Sequence, residues 1–150
     1  MMIKTLNISI IIIGYNTCQE LKKLLKSINS LKKASNILEV VYVDDGSGDL
    51  SLETFKNYPL NFSKKYKKNR INRGRAFSTQ EGVKMAGGDW FLFIRSNERA
   101  SRDLIQEYSR AINSQSGLAY MGVVRYQSKD KYFEKYLNNK KRGVNLFVCG

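Results

Sequence analysis

Three short polar segments stand where chemistry would be expected, each directly after an apolar run. Gly14-Tyr15-Asn16 follows Asn7–Ile13, Asp44-Asp45-Gly46-Ser47-Gly48-Asp49 follows Glu39–Val43, and Arg95-Ser96-Asn97-Glu98 follows Trp90–Ile94. The paired carboxylates of Asp44 and Asp45 could accept hydrogen bonds from the N–H or hydroxyl groups of a ligand. The same DDGSGD residues also suit a plain turn leading into a helix, because Asp, Gly and Ser favour turns and N-caps alike. Arg95 has an equally plain reading, a surface guanidinium at a strand end reaching outward.

The apolar runs are the elements that must position these groups. Asn7–Ile13 is continuous and β-branched, as in a strand covered on both faces of a parallel sheet. Thr17-Cys18-Gln19-Glu20 has the form of a capping box, and Leu21, Leu24, Leu25, Ile28 and Leu31 continue at helical spacing. Glu39–Val43 predicts a second strand, and Leu52, Phe55 and Tyr58 a short helix. Phe62–Lys68 reads as a weaker third strand. A helix opening at Asn72-Arg73-Gly74 carries Ala76, Thr79, Val83 and Ala86 on one stripe and stops at Gly87-Gly88. Trp90–Ile94 predicts the next strand, Leu104, Ile105, Tyr108, Ala111 and Ile112 a helix, and Leu118–Tyr126 a further strand, with a short apolar piece at Val144–Val148. Strands alternating with helices predict an α/β fold whose mostly parallel sheet is flanked by helices. Ligands of such sheets bind beyond the carboxyl ends of the strands, which would bring the three polar segments to one edge.

Composition narrows the function. The 150 residues are 42% hydrophobic and 26% charged, as in an ordinary globular domain. No apolar run approaches the length of a bilayer span, and MMIKTLN lacks the pattern of a signal peptide. Two cysteines, Cys18 and Cys149, and no histidine give no metal-type spacing, so a reducing cytoplasm is the expected compartment. Walker, nucleophile-elbow and histidine-triad chemistry are absent, and Gly46-Ser47-Gly48 lacks the third glycine of a dinucleotide fingerprint. The net charge of +13 favours phosphate-bearing partners: nucleic acid, anionic lipid or a phosphorylated small molecule. Lys64–Arg75 holds seven basic residues in twelve around Tyr66. That pattern is open to nucleic-acid contact or to a solvated face. Lys129–Arg142 is also basic, diluted by Asp130 and Glu134.

Taken together, the segments resemble family 2 glycosyltransferases in their N-terminal, nucleotide-sugar-binding half. Ser9-Ile10-Ile11-Ile12-Ile13-Gly14-Tyr15-Asn16 is similar to that family's opening strand and YN turn, with Ile13 in place of a usual proline. Glu39–Asp49 is similar to its EIIVVDDGSTD signature. Asn72-Arg73-Gly74, Ala76, Gly82, Ala86 and Gly88 match its third block, with Thr79 and Gln80 standing for the usual Arg-Asn pair. Trp90–Glu98 falls where the family carries its D-x-D-D acidic cluster. The resemblance implies a GT-A, Rossmann-like nucleotide-diphospho-sugar fold and a single domain over 1–150 that stops before the family's acceptor half. It implies sugar transfer from a nucleoside-diphosphate sugar of the UDP type to a glycan or lipid-linked acceptor, as in polysaccharide biosynthesis. The donor would be held by Gly14, Tyr15, Asn16, Asp44, Asp45, Gly74, Arg95 and Asn97. A divalent cation, Mg²⁺ or Mn²⁺, would sit on Glu98, and the location would be cytoplasmic, at the inner membrane surface, with peripheral contact to anionic lipid.

Departures from the family leave alternatives open. Where the cluster carries three acids, this chain has Arg95-Ser96-Asn97-Glu98, one acid and one guanidinium. Glu98 could still hold a metal; Arg95 could instead meet the diphosphate as a guanidinium fork without one; or transfer is lost and a nucleotide- or glycan-binding relic remains. A basic nucleic-acid-binding protein is the further alternative. No residue after Leu118 matches the family's general base, so no catalytic residue is assigned.

Overall fold

The computed structural model describes residues 6–32, 34–114, 119–123 and 145–149. Its strands are β1 (Ile8–Gly14), β2 (Ile37–Asp44), β3 (Ser63–Lys68), β4 (Trp90–Arg95), β5 (Ala119–Val123) and β6 (Asn145–Cys149). They form one sheet in the order β3-β2-β1-β4-β6-β5. β3, β2, β1 and β4 run parallel, whereas β6 pairs antiparallel with both β4 and β5. The helices are α1 (Cys18–Asn29), α2 (Ser51–Asn57), α3 (Arg75–Met85) and α4 (Leu104–Ser114). The expected α/β architecture is therefore present, with the last expected strand and the apolar piece after it joined as an antiparallel pair. Lys129–Arg142, with Asp130 and Glu134, lies outside the described residues.

Strand alternation divides the sheet's two faces. Ile8, Ile10, Ile12, Val40, Tyr42, Leu92 and Ile94 point into the main core with Leu21, Leu24, Leu25 and Ile28 of α1, Phe55 of α2 and Ile105 and Tyr108 of α4. Full burial of each such aliphatic side chain contributes roughly 1.5–3 kcal/mol. The opposite face carries α3, and here the expected stripe is corrected. Ala76 is exposed, and the residues α3 buries are Ser78, Glu81 and Gly82. The cause is close approach: a Cβ on Gly82 would stand 2.6 Å from Ile11 Cγ2, so the helix presses its smallest residue onto β1. Its polar neighbours are satisfied sideways, Ser78 by Asn69 and Glu81 by Lys67 and Lys84.

The basic run Lys64–Arg75 loses much of its free charge to the fold. Lys64 Nζ donates to the carbonyls of Lys56 and Tyr58 at the end of α2, at 2.6 and 3.0 Å. Lys65 pairs with Glu39 at 2.8 Å, and Lys67 pairs with Glu81. Glu39 is itself buried and also accepts Ser9 Oγ–H at 2.9 Å and Gly87 N–H at 2.6 Å. Burial alone would raise its pKa, yet Lys65 and these donors hold it below the usual carboxylate range. Three of the seven basic groups thus serve the sheet edge. Among the described residues no helix is long and apolar enough to cross a membrane.

Candidate functional site

The sheet order reverses beside β1: the chain adds β2 and β3 on one side and then returns to place β4 on the other. In open parallel sheets such a reversal opens a crevice at the carboxyl ends of the two strands, where ligands bind. Register brings the three polar segments to that edge, with Gly14 opposite Asp44 and Ile13 opposite Arg95. At the usual strand spacing, Asp44 and Arg95 lie about 10 Å apart across β1.

The loop after β1 is held by the loop after β2. Asn16 adopts φ 51°, a left-handed conformation that Asn tolerates better than most residues. Its N–H donates to Ser47 Oγ at 2.9 Å, and its own Oδ1 accepts Gly48 N–H at 2.8 Å. Gly14 admits no side chain, since a Cβ would lie 2.6 Å from the Tyr42 hydroxyl. Tyr15 remains 48% exposed. The expected capping box at Thr17-Cys18-Gln19-Glu20 does not form. Thr17 makes no cap hydrogen bond; Thr17 N–H donates to Ser51 Oγ and Cys18 N–H to Asp49 Oδ2, at 3.0 and 3.1 Å. Glu20, free of that task, pairs with Arg99 and Lys23. A carboxylate from the neighbouring loop already occupies the start of α1.

The two aspartates have different positions. Asp44, expected at the ligand, has a fully buried side chain whose Oδ1 accepts Ser47 N–H at 2.6 Å and braces the turn. Its Oδ2 is buried without a hydrogen-bond partner among the described residues. Burial first, and the charge of Asp44 second, push the adjacent Tyr42 phenol upward in pKa. Asp45 is buried as well, 4% exposed. Its Oδ1 accepts Asn69 Nδ2–H at 2.8 Å and Arg73 N–H at 2.9 Å, while Oδ2 accepts Gly74 N–H at 2.9 Å. Asp45 N–H donates to Gly14 O at 2.8 Å, which seats it beside Tyr15. Nothing local marks Asn69 in the sequence, yet it and Gly74 join Asp45 to the start of α3.

The turn after β4 folds onto itself. Glu98 N–H closes it on Arg95 O at 2.9 Å, Glu98 Oε2 accepts Arg95 N–H at 2.9 Å, and Oε1 faces Arg95 Nε at 3.5 Å. The Arg95 side chain is 43% exposed, and its terminal nitrogens make no hydrogen bond to the described residues. Ser96 is buried and Asn97 exposed. Beyond β3, Arg70, Arg73 and Phe77 line a cavity of about 210 Å³, with the Arg73 guanidinium 4.1 Å from the Phe77 ring centre.

This donor set does not fit the family's divalent cation. Mg²⁺ and Mn²⁺ need several hard oxygen ligands, mainly carboxylates. No group of three or more His, Cys, Asp or Glu side chains that could hold a metal occurs among the described residues. Glu98, the expected ligand, is paired with Arg95 instead. A dication about 4 Å from that guanidinium would meet roughly 2 kcal/mol of repulsion even in water, and several times more where water is excluded.

Comparison with known proteins follows the same lines. The family described as Glycosyl transferase family 2 matches residues 9–147. The chain is 26% identical over 133 residues to the uncharacterized glycosyltransferase YfnE of Bacillus subtilis, covering 89% of this chain and 34% of that protein. It is 28% identical over 87 residues to the poly-β-1,6-N-acetyl-D-glucosamine synthase of Staphylococcus epidermidis, covering 58% of this chain and 21% of that protein. It therefore spans about a third of the one relative and a fifth of the other. Among solved structures, S. aureus TarS 1–349 in complex with UDP-GlcNAc superposes with a TM-score of 0.71 at 22% identity, over 83% of this chain and 37% of that one. The mannosyltransferase PcManGT of Pyrobaculum calidifontis, in complex with GDP-Man and Mn²⁺, does so with 0.69 at 16% identity, over 97% and 45%. At these identities the structural likeness establishes the fold, a GT-A, Rossmann-like sheet.

Proposed function

The chain belongs to glycosyltransferase family 2, and from that premise we propose that it forms the donor-binding part of a transferase. It would move a sugar from a nucleoside diphosphate to a hydroxyl of a glycan or lipid-linked acceptor. The observation that carries this reading is the switch point between β1 and β4, whose carboxyl ends present Tyr15, Asn16 and Arg95–Glu98 beside Asp45. An exposed aromatic ring at this edge suits a nucleobase, which offers a π-face for stacking. In the reaction the acceptor oxygen bonds to the anomeric carbon, the bond from that carbon to the diphosphate breaks with its electron pair, and the acceptor proton passes to a base. No described residue is assigned as that base. The relatives that bind UDP-GlcNAc or GDP-Man support the donor class. The net charge of +13 supports contact with an anionic membrane surface or a phosphate-linked acceptor.

Thermal-shift titration with UDP, GDP and their sugars, against phosphate alone, tests the reading. Ligand at a hundredfold over its dissociation constant adds about 2.7 kcal/mol, roughly 5–10 °C for a domain of this size. No shift with any of them refutes the donor site. The altered acidic motif favours one second reading, binding without transfer; release of UDP or GDP from the sugar nucleotide on incubation with acceptor glycans would exclude it.

A further inference from the structure

The donor reading requires something cationic to face the diphosphate, and two usual receivers are already committed. The first is the amino end of the helix after β1, which attracts phosphate through its free N–H groups and dipole. Here Thr17 N–H and Cys18 N–H donate to Ser51 and to the Asp49 carboxylate, so an anion of the protein stands there. The second is a divalent cation, for which the residues after β4 are unsuited. Three other cations near this edge are also engaged. Arg99 is held by the Glu20 carboxylate at 2.6 Å, Lys67 by Glu81, and Arg73 lies over Phe77 beyond β3.

Arg95 is different. It ends β4 in register with Ile13, at the reversal of the sheet. Glu98 takes its N–H and faces Nε, and neither terminal nitrogen makes a hydrogen bond to the described residues. A guanidinium offers paired N–H donors that match two phosphate oxygens. We propose that Arg95 receives the donor's diphosphate in place of a metal ion, with Glu98 as the positioning residue that holds the guanidinium at the switch point. This rests on the donor reading above. The guanidinium stays protonated throughout, and it offsets the charge that collects on the diphosphate as the bond to the sugar breaks.

Calorimetric titration of the full chain with UDP and GDP, each in EDTA and in Mn²⁺, tests it. The dissociation constant of the nucleotide that binds should agree between the two buffers within about threefold. Arg95→Gln should weaken that nucleotide about tenfold or more, while uridine and guanosine, which lack phosphate, are affected less than about twofold. Arg95→Lys should recover part of the loss, and Glu98→Gln, which loosens the hold on Arg95, should weaken the nucleotide by a smaller factor, about three- to fivefold, equally in both buffers and without changing uridine or guanosine. A loss common to nucleoside and nucleotide would mark Arg95 as merely structural and overturn the assignment. Binding that appears only with Mn²⁺ and vanishes in Glu98→Gln would return Glu98 to the role of metal ligand and overturn it equally. Absence of binding in both buffers would remove the donor reading, and this proposal with it.

Discussion

Replacing Asp45 by Asn should loosen the site while leaving the sheet intact. The Asp45 carboxylate accepts three hydrogen bonds, from Asn69 Nδ2–H, Arg73 N–H and Gly74 N–H, and it is almost fully buried. Hydrogen bonds to a charged acceptor contribute about 1.5–3 kcal/mol each, and their sum is not additive. Asn keeps one carbonyl oxygen for Asn69 and Arg73 but turns an NH₂ group toward Gly74 N–H, donor against donor. The expected loss is about 2–3 kcal/mol, or roughly 5–10 °C in Tm. Burial alone would raise the Asp45 pKa, but the donors from Arg73, Asn69, Ser78 and Gly74 outweigh it and hold it below the ordinary 3.8. The folded pKa is thus depressed, so the contribution is complete above the unfolded value and fades as pH falls through the folded one. The gap between wild type and variant should therefore be full at neutral pH and narrow below about pH 3.8. Urea denaturation followed by Trp90 fluorescence, repeated across acid pH, measures both. A loss below about 0.5 kcal/mol at neutral pH, or a gap that does not change with pH, would refute the clamp.

Two further outcomes follow from the packing. Gly82→Ala forces a methyl group to within 2.6 Å of Ile11 Cγ2; because Ile11 is fully buried, the variant should lose about 1–3 kcal/mol by denaturant titration. Glu39→Ala strips Ser9 Oγ–H, Gly87 N–H and Lys65 of their shared acceptor and should cost about 2–4 kcal/mol at neutral pH. Its folded pKa is lowered from 4.5, so this cost too should shrink as pH falls below that value, as a pH series of melting temperatures would show.

The parts of the fold that were legible in the sequence are those set by unbroken apolar pattern. Ile8–Ile13, Val40–Val43 and Trp90–Ile94 are buried on one or both faces, and only Ser9 interrupts them, so their strands and the polar groups after them could be placed. The capping of α1 was hidden because its acceptors, Asp49 and Ser51, come from the next loop rather than from Glu20. The buried face of α3 was missed because Ser78, Glu81 and Gly82 carry no apolar signal; smallness and distant partners put them inside. Nor does spacing show which partners two adjacent aspartates take. The fold buries both, Asp44 bracing its own turn through Ser47 N–H and Asp45 tied to Asn69 and the start of α3. The Arg95–Glu98 pair had a local signal, opposite charges three residues apart, but its use as a closed turn depends on the backbone bend after β4.

The central claim, that a nucleoside diphosphate binds where the sheet reverses beside β1, is tested most directly by following backbone amide resonances of the ¹⁵N-labelled chain during titration with UDP and GDP. The account predicts saturable shifts at Tyr15, Asn16, Asp45, Gly46, Ser96 and Asn97, three loops that meet only at the carboxyl ends of β1, β2 and β4. Shifts confined to the Lys67–Phe77 cavity, or scattered along the lysines of β3, would contradict it.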